Sequence, residues 1–306
     1  MPVRANAVGR LFGERLRTLE VRHLLAFSAG IGDDSRAVLD DSSDGLIAHP
    51  AFCVSLEWPV ISAVGARELL GLEPEETRRG VHAAQDSTFH RPLRPGMRVL
   101  TRGRFAAVRA TSAGALVATR LETIDTASGE TLVETWSTSI YRGVTVEGEP
   151  RSSGEPPPLP GDDESLGVDG REVSAGIDLP RTFPHVYTEC ASIWNPIHTE
   201  VRIARAAGLP DILVHGTATW ALAGREVVRR HAPGDPGRLR RLAGWFRSMV
   251  PAGTPIEVRI GTARALADDS RDVAIPFRVL DASGRNAIDR GWGVLAGEET
   301  GSEPDA

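Results

Sequence analysis

The chain has 306 residues, 41% hydrophobic and 25% charged, with 35 Lys and Arg against 41 Asp and Glu, a formal net charge of -6 at pH 7. That acidic balance argues against a nucleic-acid partner, which needs a net-basic face, and no run of about eighteen apolar residues is present to span a bilayer. Two cysteines, Cys53 and Cys190, are too few for a disulfide framework and MPVRANAVGR lacks the apolar stretch of a secretory signal, so the expected compartment is the cytoplasm.

A chain of this length accommodates about two domains of ordinary size. The first, residues 1–143, opens with a polar and helix-like part that includes Ser28-Ala29-Gly30-Ile31-Gly32-Asp33-Asp34-Ser35. Gly30-Ile31-Gly32 is not a dinucleotide loop, because Ser35 stands at the third glycine position and no parallel βαβ pattern follows. An apolar helix is expected near residues 52–70. The turn Arg94-Pro95-Gly96-Met97 is preceded by the strand-like VHAAQDSTFHRPL and followed by VLTRGRFAAVRA, ALVATRLETID and TLVETWSTSIYRG, with a hairpin turn at Ser128-Gly129. His82 and His90 flank a strand-like stretch with no nearby cluster of Cys, His and acids, so no metal site is expected.

Residues 144–170, VTVEGEPRSSGEPPPLPGDDESLGVDG, are dominated by proline, glycine, serine and acids and are expected to form an exposed linker. The second domain, residues 171–296, repeats the order of the first: a helix-like part, one apolar helix near residues 217–230, the turn Val250-Pro251-Ala252-Gly253-Thr254 preceded by LRRLAGWFRSM, and strand-like runs after it, with a hairpin turn at Ser283-Gly284. Residues 297–306 read as a disordered tail.

Residues 187–216, YTECASIWNPIHTEVRIARAAGLPDILVHG, carry the chemistry. Asn195-Pro196 favours a turn, which fixes His198 at a defined point on a loop, and an imidazole titrating near neutrality can move a proton. Gly216 opens the second apolar helix, whose free N–H groups and dipole face any oxygen that gains negative charge. No GxxxxGK[ST] or GxSxG sequence is present, which weakens nucleotide hydrolysis and the α/β-hydrolase class.

The ordered set Asn195, Pro196, His198, His215 and Gly216 resembles the hydratase motif of the MaoC-like dehydratase family, Asp-x-Asn-Pro-x-His with a downstream His-Gly. The resemblance implies an α+β double hotdog, two central helices each wrapped by antiparallel strands that form one sheet. It also implies a hydratase or dehydratase that interconverts 3-hydroxyacyl and 2-enoyl thioesters. The substrate would be carried on coenzyme A or acyl carrier protein, in fatty-acid or polyketide-type metabolism, with no cofactor and with association into a homo-oligomer as an option. On the family pattern His198 is the acid/base and the Gly216 N–H stabilises the enolate oxygen, while Asn195, His215 and Trp194 line the substrate site. In the family an aspartate five residues before the histidine helps to hold and activate the water, and here that position is Ile193. Two readings of Glu189 stand. If residues 187–193 are helical it lies one turn before Ile193 and supplies the missing carboxylate, or it is a solvated surface charge.

The two copies differ in chemistry. If Asp33 aligns with the family aspartate, the histidine position falls on Val38, so one copy keeps the acid and the other the histidine. Asp33 is then expected to cap a turn, and the first copy to be a scaffold whose helix recedes to make room for an acyl chain. The alternative function is a catalytically altered relative that binds, cyclises or isomerises an acyl-derived intermediate, or a non-catalytic scaffold.

Overall fold

A computed structural model describes residues 1–161, 172–266 and 271–297. The first unit runs through β1 (Val3–Arg4), β2 (Leu11–Thr18), α1 (Val21–Gly30), α2 (Arg36–Leu39), α3 (Cys53–Ile61), α4 (Val64–Leu70) and α5 (Pro74–Thr77). It continues with β3 (Gly80–Phe89), β4 (Arg98–Thr111), β5 (Gly114–Asp125), β6 (Thr131–Arg142), β7 (Val146–Glu147) and β8 (Arg151–Ser152). The second unit comprises β9 (Val173–Ile177), α6 (Phe183–Ala191), α7 (Val201–Ala206), α8 (Gly216–His231), β10 (Leu239–Phe246), β11 (Ile256–Ile260), β12 (Arg264–Ala265), β13 (Val273–Asp281) and β14 (Asn286–Leu295).

The large sheet has the order β2-β4-β5-β6-β3-β10-β14-β13-β11-β9, with antiparallel pairing throughout, and β8 and β12 attach to β4 and β13. Read from either end, the order places an edge strand, then three meander strands, then the strand that precedes them in sequence. The units therefore meet as equivalents at β3 and β10, where Arg241 pairs with Thr88 and Trp245 with Ala84. This is the double hotdog of the α+β class. The edge strands β2 and β9 lie in stretches that the sequence reading leaves without strands. Along β4, Val99, Thr101, Gly103 and Phe105 alternate inward until a register shift between Phe105 and Ala107 changes the parity, after which Val108 is buried.

One core spans both units, with Phe27, Phe52, Tyr187, Trp220 and Phe277 in the same cluster. The second central helix is Gly216–His231, one residue longer at each end than expected. The first is not one helix over residues 52–70. Pro50–Phe52 forms a 3-10 turn, α3 ends at Ile61, and Ala63 is extended before α4 begins. Pro59 inside α3 removes the N–H that the Ser55 carbonyl would accept, and Arg17 Nη1 donates to that carbonyl instead at 3.3 Å.

Part of the expected linker is built into the fold. Val144 is buried, β7 pairs in parallel with β1, and β8 pairs with β4. Arg241, ion-paired to Asp86 at 2.7 Å, donates to the carbonyls of Pro157 and Pro158, and Leu159 packs on the cluster of Ala274, Trp292 and Val294. Its composition hides these few apolar anchors among prolines, whose carbonyls still accept hydrogen bonds. Residues 162–170 of the linker, and 298–306 of the expected tail, lie outside the described residues. No helix among the described residues is long and apolar enough to cross a membrane.

Candidate active site

The same backbone device recurs in both units. α1 and α6 each end in a left-handed residue, Gly32 at φ 65 and Ser192 at φ 55. The next residue then bonds back five positions, Asp33 N–H to the Ser28 carbonyl at 2.9 Å and Ile193 N–H to the Thr188 carbonyl at 3.1 Å. That is a Schellman-type stop. The central helical segments are entered alike, from His49 (φ -54, ψ 134) and His215 (φ -61, ψ 136). Ala48 N–H donates to the Leu93 carbonyl as Val214 N–H does to the Val250 carbonyl. Asp33 thus corresponds to Ile193 and His49 to His215.

In the first unit Asp33 and His49 are both buried, with His49 Nε2 and Asp33 Oδ2 3.7 Å apart. Asp33 Oδ1 also accepts the Ser35 N–H at 3.0 Å, the turn-capping role expected for it. Its partner is the histidine of its own unit. Val38, at the position matching His198, is fully buried.

In the second unit Pro196–His198 is a 3-10 turn whose cap is Asn195, with Oδ1 accepting the Ile197 N–H at 3.5 Å. His198 Nδ1 lies 2.9 Å from the Leu213 carbonyl oxygen. A carbonyl only accepts, so Nδ1 carries the proton and Nε2 keeps its lone pair. Burial pushes the His198 imidazolium down to about 4, partly opposed by the Leu213 carbonyl, so the ring is neutral near pH 7. His215 stacks on His198 with centroids 3.7 Å apart, and its Nε2 sits 3.2 Å from Thr188 Oγ1. Its own basicity is also lowered, by burial first and then by His198. His215 is 2% exposed, so it backs His198 from within the protein.

Tyr187 completes this wall. Its ring is 5.0 Å from that of His215 and its hydroxyl donates to Thr217 Oγ1 at 3.2 Å. The sequence places Tyr187 and Thr217 thirty positions apart, and only the packing of α6 on α8 reveals the pair. At the start of α8 the first N–H groups bonded within the helix are those of Ala218 and Thr219, both to the His215 carbonyl. The amides of Gly216 and Thr217 precede the helix ladder and remain available to an oxyanion. Gly216 allows a close approach, since a Cβ there would stand 3.3 Å from the Phe246 ring and press on it. Phe246 in turn packs on His82 of the first unit, 4.6 Å between centroids.

Glu189 and Trp194 do not join this group. Because Ser192 turns left-handed, Ile193 leaves the register of α6, and it is buried at 4% exposure. Glu189 faces outward and accepts the indole N–H of Trp194 at 3.3 Å, and Trp194 is 60% exposed. Among the described residues no hydrogen bond or ion pair joins Glu189 to His198. Nor does any group of three or more His, Cys, Asp or Glu there suit a metal ion.

Comparison with known proteins bears on the fold and the family. Residues 187–274 match the family described as MaoC like domain, and residues 6–135 match the FAS1-like, dehydratase domain region. A 3-hydroxyacyl-thioester dehydratase Y of Mycobacterium tuberculosis is 25% identical over 269 residues, 85% of this chain and 88% of that protein. A segment of 75 residues is 37% identical to the fatty acid synthase subunit beta of Aspergillus oryzae, and spans 24% of this chain and only 4% of that subunit. Among solved structures, a MaoC-like dehydratase from Phytophthora capsici superposes with a TM-score of 0.78 at 19% identity, over 96% of this chain and 98% of that one. A conserved protein of Mycobacterium tuberculosis described as a double hotdog gives 0.61 at 18% identity, over 94% and 95%.

Proposed function

We propose that this chain, which belongs to the MaoC-like dehydratase family, interconverts 3-hydroxyacyl and 2-enoyl thioesters carried on coenzyme A or an acyl carrier protein. The observation that carries the reading is the hydrogen bonding of His198, whose Nδ1 lies 2.9 Å from the Leu213 carbonyl oxygen. Its Nδ1–H is held by the Leu213 carbonyl, which leaves a neutral Nε2 as base beside the start of α8. In the dehydration direction Nε2 takes the proton next to the thioester carbonyl, and the negative charge moves to the carbonyl oxygen, which the Gly216 amide faces. The imidazolium then returns that proton to the departing hydroxyl, so a double bond forms and water leaves. A base near 4 is weak in the empty site, but the enolate formed beside it favours the protonated ring and raises its affinity for the proton.

The buried Ile193 favours a second reading in the same family of chemistry: enolate formation without an activated water, which moves a double bond in place of hydrating it. One assay separates the two. Hydration of 2-enoyl thioesters of graded length, on both carriers, is expected with wild-type protein, and His198→Gln should lower it by roughly 100-fold or more while the fold persists. Wild-type protein that hydrates none of them, yet shifts the double bond of a 3-enoyl thioester, would replace the first reading with the second.

A further inference from the structure

The break between α3 and α4 opens a cavity of ≈ 350 Å³ against the concave face of the first unit's sheet. That volume falls within the ~300–1,000 Å³ usual for small-molecule sites. A row of touching side chains lies between the cavity and the start of α8. Ser137, in the cavity wall, lies 3.1 Å from His82 Nε2. His82 packs on Phe246, and Phe246 packs on Gly216.

The wall is of two kinds. Phe12, Leu70 and Phe105 give it an apolar side, whereas β6 presents Ser137, Ser139 and Tyr141 at alternate positions, and so on one face. Ser137 is already engaged by His82. Ser139 Oγ and the Tyr141 hydroxyl have no hydrogen-bond partner among the described residues. Burial pushes the Tyr141 phenol up to about 12, so it keeps its proton as a donor. Arg67 also lines the cavity and pairs with no carboxylate among the described residues. A plain hydrocarbon chain in this space would take water from two hydroxyls and a guanidinium and give nothing back.

Resting on the thioester reading above, we infer that the acyl end remote from the thioester occupies this cavity and carries an oxygen function, a hydroxyl or a carboxylate, bound by Ser139, Tyr141 and Arg67. The cavity then selects oxygenated acyl chains over saturated hydrocarbon chains of equal length.

Titration calorimetry with non-reacting saturated thioesters tests this apart from catalysis. Octanoyl-CoA, ω-hydroxyoctanoyl-CoA and the ω-carboxy analogue are compared, with the hexanoyl and decanoyl series as length controls. An oxygenated probe should bind at least about tenfold more tightly than its parent. Ser139→Ala combined with Tyr141→Phe should abolish the advantage of the hydroxyl probe, and Arg67→Met that of the carboxylate alone. Ala66→Phe, which fills the cavity from α4, should weaken the octanoyl probes and spare butyryl-CoA, and the conservative variants decide the matter if it does not fold. Parent chains that bind as tightly as oxygenated ones, with hydration intact, overturn this inference alone. If no thioester binds at all, the proposed function falls with it.

Discussion

The imidazoles of His198 and His215 lie face to face, 3.7 Å between centroids and 24° from parallel, and burial disfavours a proton on either. His198 bears on how both activity and stability depend on pH. An exposed catalytic histidine loses its base function below about 6.5. Here the acid limb of kcat/KM is expected near pH 4, because the His198 imidazolium is held at about 4 by burial. Stability moves in the same window. His49, His82 and His198 all fall to about 4 in the folded protein, against about 6.5 in an unfolded chain. The unfolded state thus binds more protons between those values, and the melting temperature should fall as pH drops from about 6.5 toward 4. An acid limb near 6.5, measured where near-UV circular dichroism shows the fold intact, would contradict this tautomer and burial.

Ile193 occupies the place that Asp33 fills in the first unit, with the same left-handed residue before it and the same bond back five positions. The backbone is therefore already shaped to carry a carboxylate there. Ile193→Asp should raise hydration of 2-enoyl thioesters by about 100-fold, the usual gain from a positioned acid/base, while lowering stability because an acid enters a buried site. Glu189→Gln should leave turnover within about twofold, as for a surface substitution, since Glu189 faces outward toward Trp194. A large loss in Glu189→Gln would restore it as the missing acid.

Much of this was readable in the sequence, and what was not has physical causes. The inner strands were legible through alternation and hairpin glycines, whereas the edge strands β2 and β9 were not, and Asn195-Pro196 marked the loop that carries His198. The break in the first central helix was signalled only by Pro59, because an apolar stretch looks continuous whether or not its backbone is. Glu189 looked one turn from Ile193 on the assumption that the helix continued, and the left-handed Ser192 ends it first. The contact of His82 with Phe246 depends on the register of β3 on β10, which one-dimensional spacing does not encode. The pairing of Tyr187 with Thr217 is hidden for the same reason, since α6 and α8 belong to separate stretches of chain.

Gly216 admits no Cβ without moving the Phe246 ring, which would stand 3.3 Å away. Gly216→Ala should therefore disturb the amide proposed to face the oxyanion, and lower kcat by about tenfold or more with a smaller effect on KM. Phe246→Ala added to Gly216→Ala removes the crowding and should recover part of kcat. No recovery would mean that the glycine serves the backbone conformation and not the fit against Phe246.

Arg225, like Arg241 on Asp86, is a charge that ties the two units together. It projects from α8 and donates to the carbonyls of Ile31 and Gly32 at the end of α1, and its other nitrogens bond Glu226 at 2.6 and 2.9 Å. Removing it would leave buried Glu226 with only the exposed Arg229 and take a cation away from the neighbourhood of buried His49. Arg225→Met should therefore cost roughly 3–5 kcal/mol, as expected for breaking a buried pair by deleting one partner. Arg229 contacts the same carboxylate at 3.4 Å but is 60% exposed, so Arg229→Met should cost less than about 1 kcal/mol. Arg225→Lys should rescue little, because an ammonium cannot reach Glu226 and two carbonyls in one fork. Denaturant unfolding of the three variants measures the difference, and equal midpoints for Arg225→Met and Arg229→Met would show that Arg225 does not hold the units in place.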